Sequence, residues 1–186
     1  MSEAILKRTV FETSRLLEFF TASELSMQMG QSQSWWPIVA LKELIDNALD
    51  ACENAGVAPE IGIDIGDNYT EVTDNAGGIP PEVIKRSLDY MVRVSDKNHY
   101  VSPTRGQLGN ALKCLYAAPY VMSGEFGQVH IESQGISYDI KIELDRIAQE
   151  PVITLEESPT QADCTKFKVS WPDSSSYIHQ YSVPKE

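Results

Sequence analysis

The sequence predicts a two-layer α/β sandwich, α+β in class: a mixed, mostly antiparallel sheet with helices packed on one face. Three observations predict it. First, Ile136, Tyr138, Ile140, Ile142 and Leu144 alternate with Ser137, Asp139, Lys141 and Glu143. Val129 and Ile131 alternate with His130 and Glu132 in the same way, as do Phe167, Val169 and Trp171 with Lys166, Lys168 and Ser170. Each such strand has one apolar and one polar face, which suits a sheet covered on one side rather than a doubly wound parallel sheet. Second, Leu41, Leu44, Ile45 and Ala48 form an apolar stripe at three-and-four spacing, the signature of a long amphipathic helix. Third, 186 residues with 42% hydrophobic and 23% charged content can bury one substantial core.

The elements follow in order. Residues 1–10 carry no pattern and read as an arm, 11–171 as one domain, and 172–186 as a polar tail. Leu16, Leu17, Phe19 and Phe20 suggest a short helix within 11–20. Thr21-Ala22-Ser23-Glu24 fits a capping box opening a helix that ends near Gly30. The long helix starts near Trp35 to Pro37 with Ser34 as N-cap, and runs to Ala55 with Gly56 as its stop. Trp35 and Trp36 are expected in the core. Ile61, Ile63 and Ile65, the turn Gly66-Asp67-Asn68 and the segment Tyr69–Thr73 read as a hairpin over 61–73. A proline-opened helix is expected from Pro81 to Met91, a long loop from Val92 to Arg105, and a further helix from Gln107 to Ala118.

Composition excludes several functions. A net charge of −12 and a pI near 4.6 argue against a broad nucleic-acid grip, which needs a basic surface. No run of 18 apolar residues exists, and the N-terminus lacks the apolar core of a secretory signal. Cys52, Cys114 and Cys164 are odd in number and far apart, so neither a disulfide framework nor a metal site follows. A reducing cytoplasm is the expected location, with no membrane partner.

Three stretches carry chemistry. On the long helix, Glu43, Asp46, Asn47 and Asp50 recur at i, i+3, i+4 and i+7 and share one face. Like charges at this spacing repel, and Mg²⁺, which takes oxygen ligands while keeping waters and phosphate oxygens, would offset that. The competing reading is a solvated helix face. Asp74-Asn75-Ala76-Gly77-Gly78 follows a strand: a fixed carboxylate beside a backbone that a flat ligand can approach, an adenine amino group being one suitable donor. An ordinary turn is the alternative. Arg105-Gly106-Gln107-Leu108-Gly109-Asn110 precedes a helix, where glycines let N–H groups converge on an anion. Lys97, Arg105 and Lys113 are nearby positive charges that either meet phosphates or face solvent.

The order of these stretches resembles the ATP-binding domain shared by DNA gyrase, the large cytosolic heat-shock chaperone, histidine kinases and MutL, the GHKL or Bergerat-fold ATPases. The resemblance is to the B subunit of topoisomerase VI in particular. It is carried by LKELIDNALDACENAG at 41–56, VTDNAGGIPPE at 72–82 and RGQLGNALKCLY at 105–116, and covers residues 10 to 171. It implies an ATPase with ATP and Mg²⁺ as cofactors. Glu43 matches the carboxylate that activates the attacking water, and Asn47 the Mg²⁺ ligand bridging to the phosphates. Asp74 matches the acceptor of the adenine amino group, with Gly78 and Ile79 closing that pocket. Arg105, Gly106, Gln107, Leu108, Gly109 and Asn110 match the phosphate loop behind an ATP lid, and Thr165 the strand threonine that supports the aspartate.

Departures stand at Ala76, Ala111 and Cys164, where the family pattern has glycine. The resemblance further implies ATP-driven lid closure, with homodimerisation or docking onto an effector, and DNA reached only through a partner. Turnover is expected to be slow, because in the topoisomerase a lysine from a second, transducer domain reaches the γ-phosphate. Competing readings are an ATP sensor without turnover, a histidine-kinase-type enzyme and a ligand-free adaptor. Glu43 argues against the sensor. The kinase lacks a phosphoacceptor helix, since His99, His130 and His179 lie in no long amphipathic helix. The adaptor leaves the three stretches as coincidence.

Overall fold

The computed structural model describes residues 19–90, 111–148 and 150–172. Helix α1 covers Ala22–Met29, α2 Trp36–Ala55, α3 Pro81–Ser87 and α4 Ala111–Ser123. Strands are β1 (Ile61–Ile65), β2 (Tyr69–Asp74), β3 (Gly127–Ser133), β4 (Ile136–Asp145), β5 (Glu150–Pro159) and β6 (Thr165–Ser170). They form one six-stranded sheet in the order β1-β2-β6-β3-β4-β5, and every described pairing is antiparallel. The expected α+β sandwich is therefore present, with a sheet more uniformly antiparallel than "mixed" implies.

Local chemistry accounts for the element ends. The Thr21 side chain accepts from the Glu24 N–H at 3.3 Å, and Gly30 ends α1 in the left-handed region. Gly56 ends α2 likewise, its N–H meeting the Cys52 and Glu53 carbonyls. Ser34 is not the cap of α2. A 3-10 turn at Gln33–Trp35 precedes the helix, and Trp35 occupies the cap position with no side-chain capping bond to the helix. The Trp36 N–H is satisfied by the Gln33 carbonyl instead. Helix α3 ends at Ser87, short of Met91, where the Ser87 hydroxyl bonds back to the Ile84 carbonyl. Helix α4 passes through Pro119 and ends at Gly124, whose N–H reaches the Tyr120 carbonyl at 2.8 Å. Strand β5 has no counterpart in the sequence-based reading. The arm, the helix of 11–20 except its last two residues, the start of the helix expected from Gln107, the long loop and nearly all of the tail lie outside the described residues.

The helices cover one face of the sheet. The alternating inward residues Val72, Val129, Ile131, Tyr138, Ile140, Ile142, Phe167 and Val169 are buried against Leu25, Trp36, Leu44, Ile84, Leu115 and Tyr116. Trp36 is fully buried and its indole N–H donates to the Gln31 carbonyl, whereas Trp35 is 36% exposed. One tryptophan of the pair is thus core and the other is not. Trp36→Ala should cost about 3–5 kcal/mol of stability through the cavity left behind, read as a lowered urea midpoint at unchanged slope. No helix among the described residues is long and apolar enough to cross a membrane.

Candidate functional site

A cavity of about 530 Å³ opens between α2, the end of β2, the loop after it, and β6. Small-molecule sites commonly measure ~300–1,000 Å³. Its apolar walls come from Leu44, Ala48, Val72, Ile79, Val83 and Phe167, and its polar groups from Asn47, Asp50, Asp74 and Thr165. The helical repeat of α2 places Asn47, Asp50, Ala51 and Asn54 on the cavity side.

Asp74 sits at the inner end, where strand alternation turns its side chain toward the helices. It is 7% exposed, and its carboxylate accepts from the Ala76 N–H at 2.9 Å. Thr165 is its partner across the β2–β6 ladder, and the Thr165 hydroxyl and backbone N–H also donate to the carboxylate. Burial pushes the Asp74 carboxyl above its ordinary value, and the three hydrogen bonds pull it back only in part. A buried carboxyl group thus lines a cleft whose walls are mainly apolar, near the polar side chains of Asn47, Asp50 and Thr165.

The loop after Asp74 is fixed at both ends. The Asn75 side chain accepts from the Glu60 N–H at 3.0 Å and the Cys52 thiol at 3.3 Å, and donates to the Ala58 carbonyl at 3.0 Å. It ties the loop to the end of α2 and the start of β1. Gly78 has φ +82°, which favours glycine, and a β-carbon there would stand 2.7 Å from both Ser133 Oγ and Gln134 Cγ. The Ser133 hydroxyl, fully buried, accepts from the Ile79 N–H at 2.6 Å and donates to the Ile79 carbonyl at 3.0 Å. The Gln134 amide donates to the Gly77 carbonyl at 2.9 Å.

The structure brings Asn47, Asp74, Gly78, Ile79 and Thr165 to one cavity. Glu43, one turn before Asn47, does not line it. Its side chain is 31% exposed, 3.5 Å from Lys42 Nζ, and its charge helps push the buried Cys114 thiol up to about 12, burial being the larger cause. On the face of Glu43, Asp46, Asn47 and Asp50, Asp46 pairs with Lys42 at 2.6 Å, so a neighbouring lysine offsets part of the expected repulsion without a metal. Arg105, Gly106, Gln107, Leu108, Gly109 and Asn110 lie outside the described residues, as does Lys97. Lys113 is buried rather than facing solvent, with its ammonium on the Asp89 carbonyl at 2.6 Å. Among the described residues, no three His, Cys, Asp or Glu side chains gather to hold a metal. Sequence reasoning missed Asn54, Asn75, Ser133 and Gln134. Only Asn75 had a signal, its place beside the aspartate.

No family model matches the chain. The chain is 32% identical over 129 residues to the B subunit of type 2 DNA topoisomerase 6 from Natronomonas pharaonis, covering 66% of this chain and 16% of that protein. It is 30% identical over 160 residues to the same subunit from Saccharolobus solfataricus, covering 76% of this chain and 29% of that one. The chain thus spans less than a third of either relative. Among solved structures, the Aquifex aeolicus MutL ATPase domain complexed with ADP overlaps at TM-score 0.40 and 19% identity, covering 72% of this chain and 41% of that one. That overlap is too low to carry an argument.

Proposed function

The chain belongs to the GHKL family of ATPase domains, close to the B subunit of topoisomerase VI, and on that premise we propose that it binds ATP in the cavity floored by Asp74 and hydrolyses it slowly. The observation that carries this reading is the buried Asp74 carboxylate, which lines a largely apolar cleft and is braced by Ala76 and Thr165. A planar base fits between the Gly77–Ile79 backbone and the side chains of Ala48, Val72 and Phe167, with its amino group donating to Asp74. A side chain on Gly78 would run into Ser133 and Gln134, so the backbone of that wall packs directly on the residues behind it.

The phosphate end would be served by Asn47 and Glu43, one helical turn apart on α2. Asn47 offers the cavity a neutral oxygen, fitting a magnesium ion that keeps waters and phosphate oxygens as its other ligands. Bound there, the ion supplies neutralisation of phosphate charge. Glu43, with its side chain 31% exposed, would orient a water, the role phosphoryl transfer asks of a protein base. Arg105 and the Gly106–Asn110 segment complete the phosphate loop in this reading. ATP would close the lid and drive pairing with a second copy or docking on an effector, DNA being reached only through that effector.

The test is phosphate release from ATP, with magnesium or with a chelator, beside light scattering with ATP, ADP and a non-hydrolysable ATP analogue. The reading expects slow, magnesium-dependent release and a doubled mass only with ATP-like ligands. Binding without release would mean a nucleotide sensor. No binding would remove the reading.

A further inference from the structure

We propose that Ser133 and Gln134, at the β3–β4 turn, are positioning residues for nucleotide binding: they set the affinity of the cavity without lining it. The inference rests on the proposed nucleotide site, and adds to it an element 54 residues further along the chain.

The loop Gly77–Ile79 forms one wall of the cavity, yet none of its three residues lies in a helix or strand. Such a segment holds a single conformation only if its peptide groups are bonded to something rigid. The β3–β4 turn is that support. One serine hydroxyl takes both the N–H and the carbonyl of Ile79, and the neighbouring glutamine takes the carbonyl of Gly77. Three hydrogen bonds from two consecutive residues thus fix the peptide groups on either side of Gly78. The contact is close: a β-carbon on Gly78 would collide with both side chains.

The same turn also bonds to the segment before Thr165. The Gly135 N–H bonds to the Ala162 carbonyl at 3.0 Å, and its own carbonyl accepts from the Thr160 N–H at 2.9 Å. These bonds hold the segment that leads into Thr165, the residue that braces Asp74. The turn therefore ties together the glycine wall and the approach to Thr165. Gln134 holds φ at +50°, a left-handed conformation that non-glycine residues seldom adopt. The turn tolerates a long, strained side chain where glycine would sit more easily. Its amide bond to Gly77 is a contact that glycine could not make.

The experiment measures ADP affinity, melting temperature without ligand, and amide hydrogen exchange at Ile79 in the full chain. Ser133→Ala leaves both Ile79 groups without their partner, so ADP affinity should fall about tenfold, as for the loss of roughly 1–1.5 kcal/mol of hydrogen bonding. Exchange at Ile79 should rise. Gln134→Gly relieves the left-handed strain while deleting the amide, so the melting temperature should hold or rise as affinity falls about threefold, one neutral hydrogen bond. A purely structural role would not separate stability from affinity in that direction. Unchanged ADP affinity in both variants, with wild-type chain binding ADP, overturns the proposal. Failure of the wild-type chain to bind would instead overturn the reading of the site.

Discussion

Replacing Asp74 by alanine should lower ADP affinity roughly a hundredfold, about what the loss of a hydrogen bond to a buried charged group produces. The carboxylate is 7% exposed and is held by direct hydrogen bonds from Thr165 and Ala76 at the cavity floor. Asp74→Asn should weaken binding too, because an amide oxygen accepts less strongly than a carboxylate. It should not weaken the fold. Burial raises the folded pKa of Asp74 above its unfolded value, so its contribution to stability is full only below the unfolded pKa and is lost as pH rises through the raised folded one. Above that pH window the charged form opposes folding. Asp74→Asn should therefore be at least as stable as wild type at pH 7, and this advantage should shrink as the pH is lowered through the acid range. Urea unfolding across pH checks the sign. A buried carboxylate in the wall of a cleft is where a binding role would place one.

Glu43→Ala should leave ADP affinity within about twofold and reduce phosphate release by ~10²–10⁴, the range of a lost general base. The residue lies one turn from Asn47, outside the cavity wall, with Lys42 Nζ 3.5 Å from its carboxylate. Glu43→Gln, which keeps the shape and removes the charge, should behave the same way. Persistent turnover in either variant would mean that another group orients the water. Lys42→Ala offers a control, because Lys42 reaches Asp46 more closely than Glu43 and its loss should alter turnover little.

Much of this fold is legible in the sequence because its signals are local. The Thr21 cap, the apolar stripe of α2 and the alternation in β2, β3, β4 and β6 each lie within a few residues of one another. Strand β5 escapes notice because it is an edge strand. Its inward residues, Pro151, Ile153 and Leu155, are only partly buried, and two prolines and paired glutamates blur the alternation. The extent of α4 is easily misjudged because Pro119 reads as a stop, whereas Gly124, with φ +73°, is the true one. In the site, Asp74 and Gly78 stand out as a carboxylate and a glycine at a strand end. Ser133 and Gln134 do not, since a serine and a glutamine at a turn carry no pattern. Their meaning comes from partners 54 and 57 residues away that only the folded sheet brings near. Trp35 and Trp36 show the same limit. Two adjacent, identical residues divide between surface and core because successive helical residues point about 100° apart, and nothing in the pair itself says which one faces in.

The most direct test of the central claim is an amide-resolved NMR titration of the ¹⁵N-labelled chain with ADP and magnesium. The account predicts saturable shifts at Asn47, at Asp74 through Ile79 and at Thr165, with smaller ones at Ser133 and Gln134, and little change along β5. Absence of shifts at saturating ADP, or shifts centred away from Asp74, would contradict it.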